Sequence, residues 1–574
     1  MSKNKPSIMK SIFQGEILED LAFPYPNIDE DEADMVKIIT DNFLKWAGEN
    51  YDPFEADEQA AYPEGTLEAL AEMGVFGLNV PESYGGLGLS QTAFARVYEA
   101  ISSIDGSLPT MVGGHSSIGV KGLLLYGTDE QKRKYLPDLA SGKKLAAFAI
   151  TEPGAGSDAA AIQTRAVRQS DGTWVLNGQK QWITNGGIAD FFTIFAKMEV
   201  EVNGKKEDKI SAFIVDWGLE GFSRGGEEHK MGIRASSTVP LFFDNLVLPA
   251  DSLLGDEGSG FKLAMEVLNS GRLGLAAGIV GGVKTIIREA SKHARERQQF
   301  GRPIAEFEVI QGKIARMTVD TYVAESMVYL TTSLADRGDV DYSLESAICK
   351  VFASERVWEA VNEGLQVMGG LGYMKEYPFE RGLRDARINL IFEGTNEILR
   401  LFIALTGIKA PGAYLEQLGK ALRDPIKGFG FLADYAFTRA REAVSSHHLA
   451  MVHPALKKWA DHFTHSVVRF HLVLNSAIMK FGKRVIDRQL MLKRFADTAI
   501  DLFGMLAVLS RVTSRIEAVG EEMTRSEIDI TCIYCEEAWR RIRRNLHGIR
   551  RNQDHSVRQL ATHISDHRYY NFPL

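Results

Sequence analysis

The chain changes its hydrophobic period twice, and those two changes limit what it can fold into. Between residues 31 and 145, apolar side chains recur at three- and four-residue spacing, as in EADMVKIITDNFLKWAGE and TLEALAEMGVFGL. Pro81 and Gly85–Gly86 in VPESYGGLGL punctuate that helical pattern. At residue 145 the pattern stops. AAFAI reads as a short strand, and TRAVRQSDGTWVLNGQKQWITNGG follows with an Asp-Gly and two Asn-Gly dipeptides between β-prone runs, the turn chemistry of hairpins. FFTIFAKM, ISAFIVDW and VPLFFDNLVLP carry strand character to about residue 249. From GFKLAMEVLNSGRLGLAAG at 260 helical spacing returns and persists almost to the C-terminus. Prolines and glycines at 410–430 read as a seam within it. The expected fold class is a mainly α, multidomain α+β chain. Its domains are helical at 1–145, a small β-barrel-like domain at 146–259, a helical bundle at 260–410 and an appended helical domain at 411–574.

Composition removes several function classes. The 574 residues exceed what one core organises, and 45% hydrophobic with 25% charged residues is ordinary globular usage. A net charge of -9 gives no global positive field for nucleic acid. Three cysteines fit a reducing compartment and no disulfide framework. Cys532-x-x-Cys535 lacks a second pair at zinc spacing, and the histidines at 447, 448, 453, 462, 465 and 471 lack fixed ligand partners, so no metal site is expected. RRIRRNLHGIRR at 540–551 reads first as a solvated helix face, and second as a contact for an acidic partner or membrane surface. The N-terminal MSKNKPSIMKSIFQGEILEDL has no long apolar signal core and is not Arg-rich. The cytoplasm is the expected location.

Five short segments can carry chemistry. In INLIFEGTNEILR, Glu393 stands between Ile391–Phe392 and Gly394–Thr395, where an ionised carboxylate is costly if kept from water. It is either an exposed helix-start residue or a group placed for proton transfer. FAITEPGAGSDAA contains Gly154-x-Gly156-x-x-Ala159, but Asp171–Gly172 turns the chain where a dinucleotide fold needs a helix. What remains is a plain turn, or a loop whose N–H groups and hydroxyls (Thr151, Ser157) face an anionic cofactor. In QWITNGG, strand alternation puts Trp182 and Thr184 on one face, as core or as an aromatic wall for a flat heterocycle. HARERQQFGRPI clusters Arg295, Arg297 and Arg302 around Phe300–Gly301, either solvated or neutralising a pyrophosphate. QVMGGLGY ends a helix in glycines that can offer bare backbone.

TEPGAGSD, QWITNGG, RQQFGRPI, QVMGGLGY and IFEGTNEILR, in this order and at this spacing, resemble the acyl-CoA dehydrogenase family from about residue 20 to the end. FPYPNIDEDE and the long stretch after Arg400 are similar to its very-long-chain branch, whose subunits carry an extra helical domain. The resemblance implies a four-helix bundle as the third domain. It also implies FAD, held by Phe148, Ile150, Thr151, Gly156 and Ser157, with Trp182, Ile183 and Thr184 along the flavin. Arg297, Gln299, Phe300, Gln366, Gly369 and Gly370 would reach the cofactor from a neighbouring subunit, and Thr395 and Glu397 would complete its shell. Ser157, Asn269, Arg272 and Gly394 would touch the acyl-CoA substrate. Glu393 matches the catalytic base, which takes the α-proton of the thioester while the β-hydride passes to flavin N5. Burial beside Ile391 and Phe392 should raise its pKa. Some relatives place the base on the helix containing Arg272, but the equivalent position here is Gly271.

The resemblance further implies formation of trans-2-enoyl-CoA in fatty-acid β-oxidation, with electrons passed to an electron-transfer flavoprotein. Gly113 and Gly114 fit a long acyl pocket, whereas Pro109 does not. An oxygen-using acyl-CoA oxidase and a non-catalytic FAD-binding assembly or scaffold protein are the alternatives on the same fold. The appended domain should cover a face that shorter relatives use in tetramers and leave a homodimer. Peripheral contact with the inner membrane face through SSHHLAMVHPALKKW at 445–459, or a mitochondrial matrix location in a eukaryote, follows by the same analogy.

Overall fold

The computed structural model describes residues 5–423, 449–568, 570 and 572. It divides into two compact units, one formed by Pro26–Asn396 and the other by Met1–Tyr25 with Glu397–Leu574.

In the Pro26–Asn396 unit, helices come first. Glu30–Asn50 is capped by the Asp29 side chain, and Asp129–Ala140 by a reciprocal capping box between Thr128 and Gln131. Between them the helix Ser107–Gly113 runs into a π-helical turn, Gly114–Gly119. The β domain is one eight-stranded sheet. Its strands are β1 (Ala146–Ala149), β2 (Arg165–Arg168), β3 (Trp174–Thr184), β4 (Phe191–Val202), β5 (Lys205–Asp216), β6 (Phe222–Arg224), β7 (Thr238–Leu248) and β8 (Leu253–Leu254). The order is β6-β7-β3-β2-β4-β5-β8, with β1 parallel to β4. Phe192, Phe213, Phe222, Phe243 and Trp174 fill one of its cores.

The turn signals in this domain divide. Asp171–Gly172 lies between the paired residues Arg168 and Trp174, as a hairpin needs. Asn177–Gly178 makes no turn. It lies inside β3 at a register shift, Gly178 at φ 145, where a Cβ would come within 2.6 Å of Thr164 Oγ1. This glycine serves a bulge and a close approach, not a chain reversal. The β4–β5 hairpin instead turns on Asn203–Gly204, both left-handed at φ 51 and 75.

Three long helices, Gly260–Glu296, Glu308–Arg337 and Ser343–Met368, then pack lengthwise. Gly260–Glu296 is long and apolar enough to cross a membrane, yet 72% of its most apolar window is buried inside the fold. The next long helix, Asn396–Arg423, holds Pro411 in its interior. The backbone therefore does not break at 410 as the proline-glycine pattern suggested. A single missing N–H removes one bond, which flanking turns can carry. Residues 424–430 of that seam, and 445–448 of the membrane-contact segment, lie outside the described residues.

In the other unit, Lys457–Phe481, Gln489–Val519 and Arg525–Arg550 are amphipathic helices with shared apolar faces. Phe470 meets Phe13 edge-on at 4.9 Å and Phe495 at 6.0 Å between ring centroids. Arg541 is forked onto Asp501, 2.7 Å at its closest, and Arg400 meets Asp497 at 2.6 Å. Pro454 starts a short 3-10 turn, and Leu456 and Trp459 just after it are buried. Those two side chains belong to this unit's core and are not offered to a lipid surface.

Candidate active site

Glu393 sits on a sharp turn that the chain must be held into. Its φ is +58, and that of Gly394 is +92. A left-handed residue with a side chain is strained and persists only when its surroundings fix it. Two buried cations do so. Arg272 Nε donates to the Glu393 carbonyl oxygen at 3.0 Å, and Lys350 Nζ donates to the Gly394 carbonyl oxygen and to Asn396 Oδ1, both at 2.9 Å. Arg272 also donates to Asn269 Oδ1 at 3.2 Å, so the two residues expected at coenzyme A meet each other and the turn.

The glutamate side chain is less satisfied than its backbone. Its Oε2 is buried and accepts no hydrogen bond among the described residues, although the residue as a whole is partly exposed. Burial raises the carboxyl above its usual range, while the charges of Arg272 and Lys350 pull it the other way. A Cβ on Gly271 would stand 2.9 Å from that Oε2. The missing side chain at 271 is what lets the carboxyl occupy this place.

Glu393 lines a cavity of about 180 Å3. Gly271, Gly278, Gly282 and Ile286 of one helix also line it, and fifteen residues of helix rise about 22 Å. Gly113 and Gly114 lie on its wall, but not as spare room. A Cβ on Gly113 would fall 2.4 Å from the Tyr98 hydroxyl, and one on Gly114 2.9 Å from Thr184 Cγ2. Tyr98, itself a lining residue, fills what Gly113 leaves. Gly382 is looser, since its Cβ would meet only Ile286 Cδ1 and Val361 Cγ1, both at 3.6 Å.

The expected cofactor loop leaves the end of β1. Phe148 and Ile150 are buried, Thr151 is half-buried, and Gly156 and Ser157 are exposed. Nothing lies within 4 Å of where a Cβ on Gly154 or Gly156 would stand. A hidden ion pair fastens this loop. Lys180 Nζ, fully buried, donates to Glu152 Oε1 at 2.7 Å and to the Ile150 carbonyl at 3.2 Å, and Thr164 N–H donates to Glu152 at 3.0 Å. Gln181 N–H donates to the Thr151 carbonyl at 2.9 Å. Strict alternation then fails, because a register shift between Lys180 and Ile183 puts Trp182 at φ +57 and leaves it 59% exposed. Thr184 lines the Glu393 cavity; Trp182 does not.

The remaining predicted contacts are not at that cavity. Arg297, Gln299 and Phe300 are exposed around the small hairpin after Glu296, Phe300 by 91% at φ +54. Gln366, Gly369 and Gly370 are likewise exposed. Thr395 is half-buried beside the turn, and Glu397 is exposed in the first turn of its helix. Ile183 is buried in the sheet. Sequence reasoning missed Lys350, Lys180 and Glu152. The lone lysine in AICKVFA, among core neighbours, was the available signal for Lys350, whereas Lys180 in NGQKQWI stands between Gln179 and Gln181 and gave none.

A helical–β–helical chain that sets a glutamate with a buried, under-bonded carboxyl oxygen on a cavity has the makings of an acid–base site. Residues 34–143, 147–246 and 258–407 match the N-terminal, middle and C-terminal domains of acyl-CoA dehydrogenase, and 454–570 the ACAD9/ACADV C-terminal domain. The chain belongs to the acyl-CoA dehydrogenase family. It is 43% identical over 554 residues to the mitochondrial very long-chain specific acyl-CoA dehydrogenase of Rattus norvegicus, covering 95% of this chain and 84% of that one. A probable acyl-CoA dehydrogenase of Bacillus subtilis is 35% identical over 572 residues, covering 94% and 91%. The crystal structure of an acyl-CoA dehydrogenase complexed with FAD from Bacillus anthracis has a TM-score of 0.81 at 33% identity, covering 100% of this chain and 96% of that one. Butyryl-CoA dehydrogenase of Megasphaera elsdenii covers 67% of this chain and all of its own, at 34% identity and a TM-score of 0.63.

Proposed function

We propose that this acyl-CoA dehydrogenase acts on long-chain acyl-CoA thioesters, forms trans-2-enoyl-CoA and passes its electrons to an electron-transfer flavoprotein. The observation that carries the reading is that residues of one helix line the cavity from Gly271, beside the Glu393 carboxyl, to Ile286, a helix rise of about 22 Å. Glu393 removes the proton α to the thioester carbonyl, and its raised pKa makes it a stronger base than an exposed carboxylate. The Glu393 N–H donates to no backbone acceptor among the described residues, which supports a role for it in polarising the thioester oxygen. Arg272 and Lys350 keep that N–H and the carboxyl in register by fixing the turn.

FAD is the cofactor, and when bound it supplies the acceptor for the β-hydride. The residues present fit it. The loop at 151–157 offers open backbone and two hydroxyls, and Trp182 presents an exposed indole tied to that loop through Gln181. Exposed Phe300 and the bare Gly369–Gly370 backbone serve the cofactor of a second copy in a homodimer.

Anaerobic mixing with palmitoyl-CoA tests the reaction. The yellow absorbance should bleach within the mixing experiment and return when an electron-transfer flavoprotein is added. No bleaching with any thioester from eight to eighteen carbons would overturn the reading. Rapid turnover in air without added acceptor would make the protein an oxidase.

A further inference from the structure

The cavity does not end in hydrocarbon. At the Thr285–Ile286 end, Ser103, Asp105, Arg381, Gly382 and Asp385 all line it. Thr285 Oγ1 donates to the Ser103 carbonyl at 3.0 Å, and a Cβ on Gly382 would touch Ile286, which places this cluster on that side. Glu393 sits beside Gly271, fifteen residues back along the same helix.

The three charged groups are not equivalent. Asp105 is fully engaged, with Oδ2 accepting from the Tyr51 hydroxyl at 2.7 Å and Oδ1 from the N–H groups of Ser107 and Leu108 at 3.1 and 2.9 Å. Asp385 accepts from Ile233 N–H through Oδ1 alone. Its carboxyl is pushed up to about 7, chiefly by burial, so near neutrality it can either donate or accept. Arg381 is only 9% exposed, yet among the described residues it makes no hydrogen bond and no ion pair within 4 Å. Its neighbour Arg384 takes the forked contact with Asp57, 2.6 Å at its closest, and leaves Arg381 to the cavity. Its charge holds the Asp105 and Asp385 carboxyls lower than burial alone would, and its nitrogens keep access to the cavity space. A methyl end seated there would displace water from these donors and return no acceptor, which is costly.

We propose that Arg381 and Asp385 form a subsite for a hydroxyl at the ω-end of the acyl chain, so that ω-hydroxyacyl thioesters are substrates. A hydroxyl accepts from the Arg381 guanidinium and exchanges its own proton bond with Asp385 Oδ2. It adds no charge to a cluster that already holds two carboxyls. The proposal rests on the reading that this cavity takes the acyl chain.

The test is the ratio of kcat/KM for ω-hydroxy over unsubstituted acyl-CoA, measured at each even length from eight to eighteen carbons. A chain too short to reach Arg381 buries its hydroxyl among apolar residues and is disfavoured. At the length that reaches, the ratio should rise about tenfold or more, since a site built to hydrogen-bond a hydroxyl discriminates strongly against its absence. In Arg381→Met the peak should vanish. If that variant does not fold, Asp385→Asn, which keeps shape, should lower the peak without moving its length. A ratio flat in wild type at all lengths overturns the proposal, and so does a peak found only with ω-carboxyl thioesters. Failure of unsubstituted thioesters to react at any length would instead remove the underlying function.

Discussion

Arg272 Nε donates to the carbonyl oxygen of Glu393 at 3.0 Å, across 121 residues of sequence. The bond fastens a left-handed glutamate to the long helix that also forms the cavity wall, so base and substrate channel share one rigid element. Replacing Arg272 by Met removes a charged donor from a buried carbonyl, a loss of about 1.5–3 kcal/mol in hydrogen bonding. We expect kcat to fall by roughly ten- to a hundredfold with cofactor content unchanged. Steady-state rates and the ratio of absorbances at 450 and 280 nm check this.

Lys350 lowers the Glu393 pKa, and burial raises it more. The reaction needs the ionised form, so the rate climbs with pH through that pKa. Lys350→Met removes one of the two lowering charges. The acid limb of kcat should therefore move to higher pH, with the plateau also reduced because Gly394 and Asn396 lose their donor. An unmoved acid limb would mean that another group titrates there.

The same shift has a stability consequence of definite sign. Glu393 binds its proton more tightly folded than unfolded, so its contribution is present at low pH and lost as pH rises through the folded pKa. Above that point the native state holds a buried carboxylate that glutamine would not. Glu393→Gln should raise Tm, by about 2 °C or more at pH 8, and by less at pH 5. Thermal melts at the two pH values decide it.

Gly271 and Glu393 exclude one another's side chains. Gly271→Ala would put a methyl 2.9 Å from the carboxyl oxygen and 2.7 Å from Ile118 Cγ2. Displacing the base by such a distance should cost about 10²-fold in kcat. The double variant Gly271→Glu, Glu393→Gly returns a carboxylate to the same space from the other wall, and glycine suits φ +58. It should recover part of the lost rate. A double variant slower than Gly271→Ala would show that the position of the carboxyl is not what matters.

For chain length, the informative glycine is Gly382. Gly113→Leu collides with Tyr98 and should cost stability whatever the substrate, whereas Gly382→Leu has room to project among Ile286 and Val361. Each methylene displaced from the cavity forfeits about 0.8 kcal/mol, so Gly382→Leu should depress kcat/KM for a sixteen-carbon thioester by orders of magnitude more than for an eight-carbon one. Equal losses would place the acyl chain elsewhere.

The helical–β–helical order was legible because period is a local property. The same locality explains where the reading failed. Asn177–Gly178 carried a hairpin signal, but the glycine is required by Thr164 pressing on a bulge, a contact between segments that no dipeptide reports. Pro411 read as a boundary, yet the helix continues through it. Alternation paired Trp182 with Thr184 until the register shift separated them. Glu393 stood out because a charge among apolar neighbours is unusual. Lys350, which steadies it, was hidden because its purpose appears only when residues 350, 394 and 396 meet.

The most direct test of the central claim is the half-reaction of Glu393→Gln. The variant keeps its shape, and the loop at 151–157, Trp182, Asn269 and Arg272 are unchanged. Mixed anaerobically with palmitoyl-CoA in a stopped-flow spectrometer, it should still bind FAD and substrate. Its flavin should bleach roughly 10²–10⁴-fold more slowly than wild type, the range for loss of a positioned general base. Bleaching at the wild-type rate would contradict the account, because some other residue would then take the α-proton.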